Sequence, residues 1–197
     1  MEKESQDVFS TIIHYLRDEA LSASADYGSL YQEYKRATEN LSKKDESKIF
    51  KQNFRERQRR LHVRFAVLQS GFLEGAINTY FAFKCKSEEE FQKIECENIV
   101  KKWTSKPRRF LPKYCVPKDS NEYKELDALV NFRNACVHHK IRLQRKDGEI
   151  FNGNLPEGLE MYRLMGAWST LPDRLIDKLS AEDYSTEFQR FRCVVEE

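Results

Sequence analysis

Residues 48–84 contain no proline and can run as one long helix or as two joined ones. The first part, KQNFRERQRR, is almost entirely polar, whereas the second, VRFAVLQSGFLEGAINTYFAF, is apolar on most sides. A helix that is apolar nearly all round is stable only when other elements cover it from several directions. This segment is therefore expected to cross the core of a helical bundle. Gly71 and Gly75 stand four apart on one of its faces. Small residues there let a second backbone approach closely, and packing then offsets the roughly 1 kcal/mol that a glycine costs inside a helix.

The rest of the chain agrees with an all-α fold. Seven glycines and five prolines in 197 residues are too few for a turn-dense β sandwich. That length suits one domain, taken here as residues 1–197, which can bury roughly 70% of its unfolded surface without disulfides or metal. Charged residues make up 34%, but 12% aromatic content argues against wholesale disorder. No apolar run approaches the ~18 residues of a membrane span, and the opening MEKESQDVFS does not read as a secretory signal. The five cysteines, Cys85, Cys96, Cys115, Cys136 and Cys193, form no CxxC pair and no even framework. A reducing, cytoplasmic setting is the simplest expectation, with no metal, no cofactor and no membrane partner.

Apolar spacing over 5–21 (Val8, Ile12, Ile13, Leu16, Ala20) predicts a first helix, with a pause around Gly28 and a second helix resuming at Leu30, Tyr31 and Tyr34. SEEEFQKIECENIVKKW reads as one further helix, capped by Ser87 with Glu90 three residues on. Pro107, Pro112 and Pro117 break regular structure. Helical pattern returns at about 120, with Leu126, Leu129, Val130, Arg133 and Val137 on or near one face. DG and NG dipeptides place a small hairpin or loop at 145–154. A final amphipathic helix is expected at about 158–180, with a bend near Pro172 and a short helix after 181. Phe72, Ile77, Leu126, Val130 and Leu164 are the predicted core.

Charge is uneven. Residues 147–197 hold eleven acids and five bases, so residues 1–146 carry the positive excess of a chain whose net charge is +2. A basic body of this kind suits a polyanion partner. Three basic regions stand out: 51–64, with six bases against Glu56; 101–118, with seven bases and no acid; and 140–146, with four bases. The second interleaves aromatics, so Lys101, Lys102, Lys106, Arg108 and Arg109 are the expected phosphate contacts, with Trp103 or Phe110 stacking on an exposed base. An irregular segment of this kind favours single-stranded loops over duplex, and a folded RNA such as tRNA is the preferred target class.

The residues that point to a reaction are LVNFRNACVHHK, positions 129–140. Arg133, with the polar Asn134 beside it and His138 five positions on, ends an apolar helix in the second half of the chain. Arg57 and His62 repeat the spacing, but on a hydrophilic helix with more bases after the arginine. The 129–140 block resembles the mark of the HEPN family: an arginine, an adjacent polar residue, and a histidine four to six positions beyond. FAVLQSGFLEGAIN is similar to the core helix of such proteins, and the resemblance covers about residues 5–180. It implies an up-and-down helical bundle, here with extra N- and C-terminal helices. It also implies a metal-independent endoribonuclease working as a homodimer, of the toxin or antiphage-defence kind, with an antitoxin or regulatory protein as a further partner. The competing expectation is a catalytically silent HEPN-like module that binds RNA, nucleotide or a protein.

The residue types suit that chemistry. RNA is cut without metal when its own 2′-hydroxyl attacks the neighbouring phosphate, which needs a base, an acid and positive charge at the phosphoryl group. A histidine titrating near about pH 6.5 serves in either proton role, and a guanidinium presents a planar fork matched to phosphate. Asn134 would donate a hydrogen bond or fix the arginine. The competing structural role for Arg133 is an ion pair with an acid such as Glu74. Five residues of α-helix rotate about 500°, so on a straight helix Arg133 and His138 would point roughly 140° apart. Either the helix ends between them or the site is assembled from two chains related by a twofold axis. His139 fits the family spacing equally well and is the alternative histidine.

Overall fold

The computed structural model describes residues 3–40, 48–137 and 158–196, and every regular element among them is a helix. In order these are α1 (Lys3–Asn40), α2 (Lys48–Lys84), α3 (Glu88–Glu95), α4 (Ile99–Thr104), a 3-10 turn (Lys106–Arg109), α5 (Asn121–Val137), α6 (Gly158–Ser180) and α7 (Thr186–Glu196). The loop expected at 145–154 lies outside the described residues. No helix among them is long and apolar enough to cross a membrane.

Side-chain pairs fix the directions. Gln58 donates to the Tyr27 hydroxyl, and the Cβ positions of Gly71 and Gly75 face Leu16 and Ile13, so α1 and α2 are antiparallel. Arg17 pairs with Asp173 while Gly28 lies against Tyr162, which makes α1 and α6 antiparallel. Arg174 pairs with Glu125, and Phe132 packs on Trp168, which sets α5 against α6. Phe65 stacks on Trp168 and Tyr80 reaches Asp183 just beyond α6, so α2 and α6 run parallel. The result is an up-down-up-down bundle of α1, α2, α5 and α6. One end is closed by α7, whose Phe188 and Phe191 pack edge-on against Tyr80.

Phe72, Ile77 and Leu126 are fully buried, Val130 nearly so, and Leu164 is half-buried against the same cluster. Burying each of the fully enclosed side chains contributes about 1.5–3 kcal/mol. At the two α2 glycines the nearest neighbours are α1 side chains, not a second backbone. A Cβ on Gly75 would stand 3.3 Å from Ile13 and one on Gly71 3.6 Å from Leu16.

Two expectations are corrected. The pause at Gly28 does not occur: α1 is continuous through it, and the missing Cβ makes room for the Tyr162 ring, which would lie 3.2 Å from one. As one helix, α1 packs along both α2 and α6. The helix expected over SEEEFQKIECENIVKKW is two helices. Asn98 adopts extended backbone and its side chain accepts from the Lys101 amide, so a second N-cap restarts the chain as α4. The Ser87 cap is as expected, accepting from the Glu90 amide at 3.2 Å.

Beyond α6 the chain is fastened by a buried polar group. The Asp183 carboxylate receives Lys84 at 2.7 Å, the Tyr80 hydroxyl at 3.0 Å and the Ser185 amide at 3.1 Å. Burial pushes its pKa up, but the hydrogen bonds from Lys84, Ser185 and Tyr80 outweigh that and leave it below the ordinary carboxylate value.

Candidate functional site

Arg133 lies seven positions after Leu126, four after Leu129 and three after Val130, so it continues the face that α5 buries. An apolar stripe thus ends in a guanidinium. Arg133 is half-buried, its Nη1 donates to Asn134 Oδ1 at 3.0 Å, and its Nε is enclosed with no hydrogen-bond partner among the described residues. No carboxylate among those residues pairs with it. Glu74, the acid considered for Arg133, is paired with Lys102 instead, whose ammonium stands 3.1 Å from that carboxylate. Other partly or fully buried cations are matched: Arg17 to Asp173, Lys84 to Asp183, Lys106 to Glu97, Arg174 to Glu125 and Lys178 to Glu122.

α5 ends, within the described residues, at the exposed Val137. His138 and His139 follow directly and lie outside the described residues, as does the basic stretch 140–146.

The structure does not bring the 101–118 cluster to Arg133. Trp103 is fully buried and its indole N–H donates to the Leu73 carbonyl at 3.0 Å. Lys102 is fully buried as well, its ammonium enclosed 3.1 Å from the partly exposed Glu74 carboxylate. These two corrections share a cause: α4 is amphipathic, and its inner face docks on α2. Leu73 and Glu74 are eleven and twelve residues beyond His62, which faces Phe132, so the cluster is displaced by roughly 17 Å along α2 from the Arg133 end. Phe110 is half-buried and packs on Phe81. Lys101 and Lys106 both engage Glu97, Arg109 engages Glu90, and Arg108 donates to the Tyr114 carbonyl and lies 3.0 Å from Cys115 Sγ. In a segment without acids of its own, four of the seven bases are thus paired with acids from outside it, Glu74, Glu90 and Glu97. The Glu97–Lys101 spacing of four was visible in the sequence; the contact between Glu90 and Arg109 was not.

The second arginine–histidine spacing is structural. Arg57 pairs with Glu33, and His62 is buried between Tyr27 and Phe132, with ring centroids 4.8 and 6.4 Å away. Neither ring nitrogen has a hydrogen-bond partner among the described residues, and burial pushes the pKa down to about 4. Unfolding restores a value near 6.5, so the unfolded chain takes up the proton first. Above pH 6.5 this costs nothing; as pH falls from 6.5 towards 4 it removes stability. Between pH 7.5 and pH 5 the loss assigned to His62 is about 2 kcal/mol. Urea unfolding of wild type and His62→Leu at both pH values checks this. The variant should lack that part of the loss, and an equal loss in both proteins would clear His62 of it.

Comparison of the chain with protein-family models, with curated proteins and with solved structures returned no match.

Proposed function

We propose that the chain is a metal-independent endoribonuclease of the HEPN type, with Arg133 as the phosphate-binding cation and His138 as the proton-transfer group. The observation that carries this reading is the Arg133 guanidinium. It stands on the buried face of α5, is oriented by Asn134, and has no counter-charge among the described residues. Desolvating a cation without pairing it is costly, and a bound phosphate would supply the missing partner. The reaction follows from the residues. The 2′-hydroxyl loses its proton to a base and its oxygen attacks phosphorus. The bond from phosphorus to the 5′-oxygen breaks, and an acid protonates that oxygen. Arg133 offsets the charge that gathers on the non-bridging oxygens, and a neutral imidazole at position 138 or 139 takes or gives the proton. The working unit in this reading is a twofold dimer with two copies of the motif in one cleft.

The test is purified protein with total RNA in excess EDTA. Cleavage is expected to persist and to leave 2′,3′-cyclic phosphate and 5′-hydroxyl ends. His138→Ala should lose most of the activity. Loss in His139→Ala alone would move the proton role by one residue. An absence of cleavage with retained RNA binding would leave a catalytically silent module in place of the enzyme.

A further inference from the structure

The polar N-terminal half of α2 is the strongest remaining charged surface. His62 touches Phe132, the residue before Arg133. Arg59 and Arg55 precede His62 by three and seven positions, so all three share one face of α2, within about 60° of each other. That face is covered by α5 at His62 and open further back, where Arg55 and Arg59 are exposed. Since α5 runs antiparallel to α2, going back along α2 from His62 means going forward along α5 from Phe132 to Val137. Arg59 and Arg55 therefore flank the Arg133 end of α5, unlike any base in 101–118. Arg59 makes no ion pair among the described residues.

We propose that Arg55 and Arg59 form the surface that holds the RNA backbone next to Arg133, gripping phosphates on one side of the bond to be cut. The proposal rests on the ribonuclease reading for the purpose of the surface, but not for its existence. Two exposed guanidiniums about one helical turn apart match successive phosphates of a single strand, and they contribute affinity in proportion to the counter-ions released. Base identity would be read elsewhere, so substitution here should weaken all sequences alike.

The experiment uses the full chain carrying Arg133→Met to block cleavage, and a 5′-fluorescein-labelled single-stranded 20-nucleotide RNA as the probe. Binding is measured by anisotropy from 50 to 300 mM salt, with Arg55→Gln/Arg59→Gln added to that background. Affinity at low salt is expected to fall at least tenfold, and the salt slope to shrink by about 1.4, the worth of two single-strand phosphate contacts. Arg108→Gln/Arg109→Gln is the comparison and should leave both unchanged. Unaltered affinity and slope in the α2 variant, or an equal effect from the comparison pair, would overturn the assignment. Both substitutions are on exposed helix, and Arg59→Gln alone, expected to remove about half of the slope change, guards against a folding defect. The two hypotheses fail separately. Wild type that binds through Arg55 and Arg59 without cutting sinks the enzyme and keeps the surface. Wild type that cuts while the α2 variant binds normally does the reverse, and wild type that does neither removes both.

Discussion

Arg133→Met is expected to lower RNA cleavage ~10²–10³-fold, the usual cost of removing a preorganised charge from the developing oxyanion, and to leave the fold as stable as wild type or more so. The two halves of that outcome come from one fact. Arg133 occupies a position that the spacing of Leu126, Leu129 and Val130 marks for an apolar side chain, and its enclosed Nε has no partner among the described residues. Methionine keeps the unbranched stem and the packing while removing the desolvated charge, so a gain of about 1 kcal/mol is the expectation for thermal or urea unfolding. Arg133→Lys keeps the charge but not the fork, and should recover only part of the rate. An arginine serving the fold would behave oppositely: removing it would cost stability and spare whatever activity survived. Cleavage within threefold of wild type in Arg133→Met, or a loss of several kcal/mol on unfolding, would refute the assignment.

The bundle was legible because its signals are local and periodic. The proline-free stretch became α2, Ser87 capped α3, and Leu126, Leu129 and Val130 of the α5 stripe fell on its buried face, while Val137 at its end is exposed. The errors came where a distant residue decides. Gly28 looks like an interruption until Tyr162, 134 positions away, is seen to occupy the space above it. Asn98 is an unremarkable polar residue within a helical pattern until its side chain caps α4. The basic run at 101–118 reads as a ligand surface because its counter-charges, Glu74, Glu90 and Glu97, lie outside the run. The closeness of Arg55 and Arg59 to Arg133 had no sequence signal at all. It depends on the contact between His62 and Phe132 and on the antiparallel course of two helices.

Trp103→Ala is expected to destabilise the protein by about 3–5 kcal/mol, the range for truncating a large buried aromatic. In a chain of this length that lowers the melting temperature by roughly 10 °C or more. The indole is fully enclosed and its N–H fastens α4 to the Leu73 carbonyl of α2, while the backbone carbonyl of the same residue accepts from the Tyr114 hydroxyl at 2.7 Å. One residue therefore joins α2, α4 and the irregular segment after the 3-10 turn. Truncation leaves a void the size of an indole at that junction, and the neighbouring Lys102, also fully buried, depends on the same packing to reach Glu74. Trp103→Phe refills most of the void but not the hydrogen bond, and should cost about 1–2 kcal/mol. A base-stacking tryptophan would give another pattern: RNA affinity would fall in Trp103→Ala with no change in melting temperature, and Trp103→Phe would restore it. Calorimetry of the two variants beside their RNA-binding curves separates the roles, since a core tryptophan predicts that Trp103→Phe binds RNA like wild type while melting earlier.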